Sequence, residues 1–287
     1  MLRPPYTCYD RLVVYHLDRG TALSVDDEAL IGVWQEDGTT VLFFHQERDR
    51  LVQDVCARFG LTVSYRAELD YRDWEAGVEI VPFRTRELAV RPVWREEDAT
   101  GERGSRRSIV LDPGVVFGSG FHATTRLCLE TLEEYVAGPR GQAASVLDLG
   151  TGTGLLAIAA ATLGAERVTG VDYNPLACAV ARANCRRNPA AAGVRIVQVD
   201  LARELPDTAC DLILVNLYKG LLETLFAEPR FWLGRRYIVS GFLPSMEADL
   251  LAALPPGRLR VLERRSRENW RLWVLENTAL AGEVAGC

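Results

Sequence analysis

The chain has 287 residues, 48% apolar and 25% charged, with a formal net charge of -6. That length accommodates about two domains and buries roughly three quarters of its unfolded surface, enough core for an enzyme and far from the composition of disorder. The acidic balance argues against a nucleic-acid scaffold, which needs a basic face, and no run approaches the ~20 apolar residues of a membrane span.

The opening MLRPPYTCYD lacks the basic-then-apolar order of a signal peptide, so a cytoplasmic protein without a membrane partner is the expectation. Residues 12–67 then alternate strand-like runs with one helix: LVVYHL, ALIGVW, VLFFH after an EDGTT turn, the helical ERDRLVQDVCARFG, and LTVSYRAEL. Leu51, Val55 and Phe59 fall at helical spacing and predict its buried stripe, with Gly60 placed as a C-terminal cap. We expect residues 1–67 to form a small α+β module. Residues 68–105 are charged and irregular and read as a linker that permits reorientation, ending in WREEDATGERGSRR.

From 106 to 287 the chain becomes strand and helix in alternation. VLDLG leads into LLAIAAATLGA, and RVTGVD into PLACAVARANCRRN, where Asn174 before Pro175 suits a helix start. RIVQVD, DLILVN and RRYIVSG follow, and RLRVLER with WRLWVLEN predict an antiparallel hairpin at the sheet edge. The alternation predicts an α/β domain whose mostly parallel sheet is covered on both faces.

Seven scattered cysteines (Cys8, Cys56, Cys128, Cys178, Cys185, Cys210, Cys287) form no CxxC pair, and the three histidines lie far apart. Reduced core thiols and no metal site are expected. Lys219 is the single lysine beside a large excess of arginine. Coding bias accounts for this plainly; a sharper reading is that an enzyme handling lysine spares itself.

The chemistry concentrates in the first strand-to-helix turn, D-L-G-T-G-T-G, with Gly150, Gly152 and Gly154. In open α/β sheets this turn cradles the ligand. A dinucleotide fingerprint would need a glycine where Leu155 stands, and no Gly-Lys-Ser/Thr of a P-loop follows. Asp172 ends the next strand, where a carboxylate can take both ribose hydroxyls; its alternative role is a helix cap. A nucleoside without obligatory phosphates, such as S-adenosylmethionine, fits the pair of features. Asp172 is expected at a solvent-accessible strand end.

DPGVVFGSGFHATTRLCLE, VLDLGTGTGLLAIAA, GVDYNP and LILVNLYKG, with DYRDWEAG, RPVW and RENWRLWV in matching order, resemble the methyltransferases of protein eleven of the large ribosomal subunit, the PrmA family. The likeness runs from about residue 70 to the C-terminus and is faint before it. It implies a Rossmann-like seven-stranded AdoMet methyltransferase domain behind a small N-terminal domain that grips a ribosomal protein and supplies no chemistry. Carried over by motif, cofactor contacts are Thr125, Gly150, Asp172 and Asn216. The resemblance also places the loop of Phe117 over the methionine half of the cofactor, where an aromatic face can hold a sulfonium, on a helix opening at Thr124 or Thr125. Asn216 is expected to orient an amine, Tyr218 to wall its pocket, and His122 to relay a proton or merely start a helix. Where the family has Thr-His-Pro-Thr-Thr and Ala-Asn-Ile-Leu-Ala, this chain has Phe121-His122-Ala123-Thr124-Thr125 and Val215-Asn216-Leu217-Tyr218-Lys219, departures on the acceptor side. Readings held beside this one are methylation of another protein lysine or of a small amine, a nicotinamide oxidoreductase, and a silent AdoMet-binding module.

Overall fold

The computed structural model describes residues 11–21, 23–36, 38–70, 81–93, 107–113, 115–138 and 143–280. In the N-terminal part, β1 (Arg11–Leu17), β2 (Leu30–Glu36), β3 (Thr39–Phe44) and β4 (Val63–Asp70) form an antiparallel sheet in the order β2-β3-β1-β4. Period-two alternation sorts its side chains onto two apolar faces. Val13, Tyr15, Leu42 and Phe44 meet helix α1 (Asp49–Phe59), whereas Leu12, Val14, Val41 and Phe43 point the other way. The helix ends as expected, with Gly60 left-handed at φ 64°. Its buried residues, however, are Val52 and Cys56, and Phe59 is 41% exposed. Both stripes share the i, i+4 spacing, and a tertiary contact sets the rotation: the Tyr15 hydroxyl donates to Asp49 Oδ1 at 2.6 Å and accepts from the Arg48 amide at 3.0 Å.

The expected linker is partly something else. Within 68–105, β5 (Phe83–Arg84) and β6 (Leu88–Pro92) pair with each other, and β6 runs parallel to β7 (Arg107–Leu111). Leu88 and Val90 sit in the same core as the helices of the larger domain, so folded structure of that domain begins before 106. Two side-chain devices hold this small sheet. Buried Glu133 accepts from the amides of Glu87 at 3.0 Å and Leu88 at 3.1 Å, and Asn188 pairs with both the amide and the carbonyl of Val110. Most of WREEDATGERGSRR lies outside the described residues, as does most of DYRDWEAG.

The larger sheet has seven strands: β8 (Ser145–Leu149), β9 (Arg167–Asp172), β10 (Arg195–Gln198), β11 (Leu212–Asn216), β12 (Arg236–Phe242), β13 (Leu259–Arg267) and β14 (Trp270–Asn277), in the order β10-β9-β8-β11-β12-β14-β13. The first five are parallel, and the β13–β14 hairpin adds an antiparallel edge as the sequence predicts. One face, with Val146, Leu212, Leu214 and Ile238, packs on α2 (Ala123–Val136) and α3 (Leu155–Leu163). The other, with Leu147, Leu149, Ile213 and Val215, packs on α5 (Lys219–Phe226) and α6 (Glu247–Ala252). Helix α4 (Pro175–Arg187) starts as expected: Asn174 Oδ1 accepts from the Leu176 amide at 2.9 Å, and Pro175 occupies the first turn. Its Leu176, Ala177 and Val180 pack against the free face of the N-terminal sheet together with Val115 and Val116.

Among the described residues Cys56, Cys128, Cys178 and Cys185 are buried free thiols, and Cys210 is partly buried. Also among these residues, no helix is long and apolar enough to cross a membrane.

Candidate cofactor and active site

The strand order reverses between β8 and β11, since β9 and β10 lie on one side and β12 on the other. Such a switch point opens a crevice beyond the carboxyl ends of the strands. There lies a cavity of about 680 Å³, within the range of small-molecule sites. Phe117, His122, Gly150, Gly152, Asp172, Asn216 and Tyr218 all line it, bringing together seven of the nine sequence-selected positions.

The glycine turn is shaped by its protein neighbours. Gly150, Gly152 and Gly154 have φ of 76°, 53° and 84°, left-handed values that disfavour a side chain. A β-carbon on Gly152 would lie 2.4 Å from the Phe117 carbonyl oxygen, and one on Gly150 would lie 2.4 Å from Leu217. Gly154 differs: its β-carbon would meet Ala181 at 3.1 Å, so this glycine lets α3 approach α4 and is not part of the lining. Thr153 ties the turn to the loop before α2, donating from Oγ1 to the Gly118 carbonyl at 2.7 Å and from its amide to the Phe117 carbonyl at 3.1 Å.

Asp172 is 8% exposed, not solvent-accessible as expected. It accepts from the Gly152 amide at 3.0 Å and the Asn174 amide at 2.9 Å. Burial raises its pKa, and the backbone donors oppose the rise. The Tyr173 backbone also stabilises the carboxylate, and with about four lone-pair sites it keeps acceptor capacity for a diol hydroxyl. Beneath it, Asp148 is 1% exposed, with its pKa pushed up to about 7 by burial despite a 2.7 Å hydrogen bond from Thr151 Oγ1.

His122 caps α2, one residue ahead of the expected start. His122 Nδ1 lies 2.8 Å from Thr124 Oγ1 and accepts from the Thr124 amide at 3.4 Å, as the helix cap. The ring stands edge-on to Phe117 at 5.2 Å and to Trp270 at 4.8 Å, and burial lowers its pKa. Thr125 is fully buried and lies outside the lining; it accepts a long 3.5 Å contact from Asn216 Nδ2, while its neighbour Thr124 faces the cavity. Asn216 ends β11, and Tyr218, 62% exposed, stands at the rim. Several wall residues were given no site role by the sequence, among them Trp34 from β2, Trp270 at the start of β14 and Asp200 after β10. Trp270 falls within the RENWRLWV motif, but no spacing ties any of the three to the glycine turn, because each arrives by tertiary packing.

The cavity suits a nucleoside cation. It offers a carboxylate with spare acceptor capacity, close-approach backbone at Gly150 and Gly152, and aromatic faces from Phe117, Trp270 and Tyr218. A pyrophosphate fits less well, because the position of a third phosphate-binding glycine holds Leu155, 1% exposed in the core. Among the described residues no group of His, Cys, Asp or Glu is arranged to hold a metal.

The sequence model of the ribosomal protein L11 methyltransferase (PrmA) family matches residues 21–278. The chain is 42% identical over 187 residues to the ribosomal protein L11 methyltransferase of Pelotomaculum thermopropionicum, covering 64% of this chain and 58% of that relative. It is 33% identical over 281 residues to that of Geobacter sulfurreducens, covering 90% of each. The solved structure of a ribosomal protein L11 methylase from Lactobacillus delbrueckii subsp. bulgaricus superposes with a TM-score of 0.59 at 26% identity, over 69% of this chain and 98% of that one. Matched by the family model over residues 21–278, the chain belongs to the ribosomal protein L11 methyltransferase (PrmA) family.

Proposed function

We propose that this chain transfers methyl groups from S-adenosylmethionine to amino groups of ribosomal protein L11, on lysine side chains and/or the α-amino terminus, in the cytoplasm. The observation that carries the reading is the juxtaposition of Asp172 with the Gly150–Gly154 turn at the mouth of a nucleoside-sized cavity, in a chain of this family. The cofactor supplies an electrophilic methyl on a sulfonium. Asp172 holds the ribose, and the backbone at Gly150 and Gly152 permits close approach. Phe117 and Trp270 present aromatic faces to positive charge, an attraction of about 0.5–2 kcal/mol.

The acceptor nitrogen has to be neutral to attack, whereas a lysine in water has a pKa of ~10.4. An apolar wall of Val116, Leu217 and Leu221 disfavours the ammonium and so favours the free amine. Asn216 positions that amine, and Tyr218 at the rim guides its entry. His122 acts through structure: its Nδ1 is engaged by Thr124 at the start of α2. A nicotinamide oxidoreductase is disfavoured by Leu155, as above.

The test is transfer of an isotope-labelled methyl group to purified ribosomal protein L11, read by mass spectrometry, beside calorimetric binding of S-adenosylmethionine. Asp172→Asn should weaken binding about 10- to 100-fold, because each charge-assisted bond contributes about 1.5–3 kcal/mol. No label on L11, or NAD binding in place of S-adenosylmethionine, would overturn the assignment.

A further inference from the structure

The N-terminal sheet is expected to serve only in recognising the substrate, yet it forms part of the cavity wall. Strand β2 is the sheet edge nearest α4. At Gly32 a β-carbon would lie 2.5 Å from a Leu176 methyl, so the glycine lets that side chain of α4 seat directly on the strand. Two residues on, Trp34 packs with that apolar cluster and lines the cavity that Asp172 and Tyr173 also line. Gly38, in the β2–β3 turn, lines it too. The Trp34 indole nitrogen is buried and has no hydrogen-bond partner among the described residues, a polar group that the docked sheet leaves uncompensated.

We infer that the N-terminal sheet is a structural wall of the cofactor site, with Trp34 covering the adenosine half, so that cofactor binding and docking of the sheet are thermodynamically linked. The inference rests on the proposed use of S-adenosylmethionine. Its physical content is reciprocity: a ligand that touches both β2 and Asp172 strengthens the contact between β2 and α4, and loosening that contact weakens the ligand to the same degree. The module that meets the protein substrate thereby also senses whether the methyl donor is in place.

The experiment uses the full chain. Calorimetry with S-adenosylmethionine is run on wild type, Trp34→Phe and Trp34→Ala, and amide hydrogen exchange is followed across Leu30–Glu36 with and without the cofactor. Trp34→Ala should lose about tenfold or more in affinity and Trp34→Phe less, since the ring remains, in line with truncation of a large aromatic contact. In the unaltered wild type, exchange at β2 should slow when the cofactor is added. Wild-type binding that Trp34→Ala leaves unchanged, or slowing confined to the glycine turn and Asp172, would overturn the inference while leaving the proposed activity standing. Failure of the wild type to bind the cofactor would overturn the proposed activity and this inference together.

Discussion

At His122 and Asn216 the geometry separates two roles that their residue types leave open. Burial lowers the His122 pKa below its ordinary 6.5, which favours the neutral ring at neutral and alkaline pH. A rate that climbs between pH 7 and 9 then belongs to the acceptor amine, whose neutral fraction rises about tenfold per pH unit below its pKa. His122→Ala should keep that rising limb and lose stability by about 1 kcal/mol through the missing helix cap. Asn216→Ala should slow single-turnover transfer by about 100-fold, the scale of a 1 Å misplacement of reacting groups. Single-turnover rates across that range at saturating cofactor decide the matter: a limb that vanishes in His122→Ala would make the histidine a base. Asp172 and the glycines were legible because motif spacing along one chain segment carries them. Trp34 and Trp270 were not, since they reach the cavity from β2 and from the edge hairpin, over 100 residues apart in either direction from the glycine turn.

Among the elements, the β8–α3 turn shows how one sequence pattern serves two purposes. Gly152 and Gly154 look alike in GxGxG, yet the first contacts the Phe117 loop and the second contacts α4. Gly152→Ala cannot be accommodated without moving the Phe117 carbonyl, which is backbone, and should lower S-adenosylmethionine affinity more than about tenfold. Gly154→Ala meets Ala181 at a tight but tolerable separation and adds left-handed strain of about 1–2 kcal/mol, so it should reduce stability with affinity nearly unchanged. Denaturant melts beside calorimetry test this, and equal affinity losses in both variants would contradict the division. The same limit on legibility appears in the larger elements. The seven strands of the sheet follow from apolar runs between helical segments. The β5–β7 sheet does not, because its edge is satisfied by Asn184 of α4 and Asn188 just past its end, whose partners Asp112 and Val110 lie more than 70 residues away. Likewise the i, i+4 spacing of α1 fits two stripes, and tertiary contacts at its start, the Tyr15 hydroxyl and Arg66 on Asp49, go with Val52 and Cys56 as the buried pair.

Across the whole molecule the two parts share apolar contact: Leu12, Val14 and Phe43 face Val115, Val116, Leu176 and Val180, and each large side chain uncovered would cost about 1.5–3 kcal/mol. The larger domain meanwhile tolerates a buried acid at its centre. Asp148 lies on β8, an inner strand, on the face covered by α2 and α3, and accepts from Thr151 at 2.7 Å, with Asp172 as a like charge nearby. Burial is the chief reason its pKa rises from 3.8 to about 7. Between those two values the folded chain holds a proton that the unfolded chain has lost. Stability therefore falls as pH rises through the window and levels off above about 7, once both states are ionised. Other carboxylates act in the opposite sense: Glu276, paired with Arg236 and Arg260, has its pKa lowered and stabilises the fold as pH rises above the carboxylate range. The net curve of the wild type mixes these, so the informative quantity is a difference. Asp148→Asn keeps the size and the acceptor for Thr151 and removes only the titration. Unfolding free energies of the two proteins should draw closer, or cross in favour of the asparagine, between pH 4.5 and 7, with a total change of at most about 4 kcal/mol at ~1.4 kcal/mol per pH unit. Urea melts at stepped pH measure it. Parallel curves across that window would mean that Asp148 is ionised in the folded protein, with Thr151 and the backbone donors outweighing its burial.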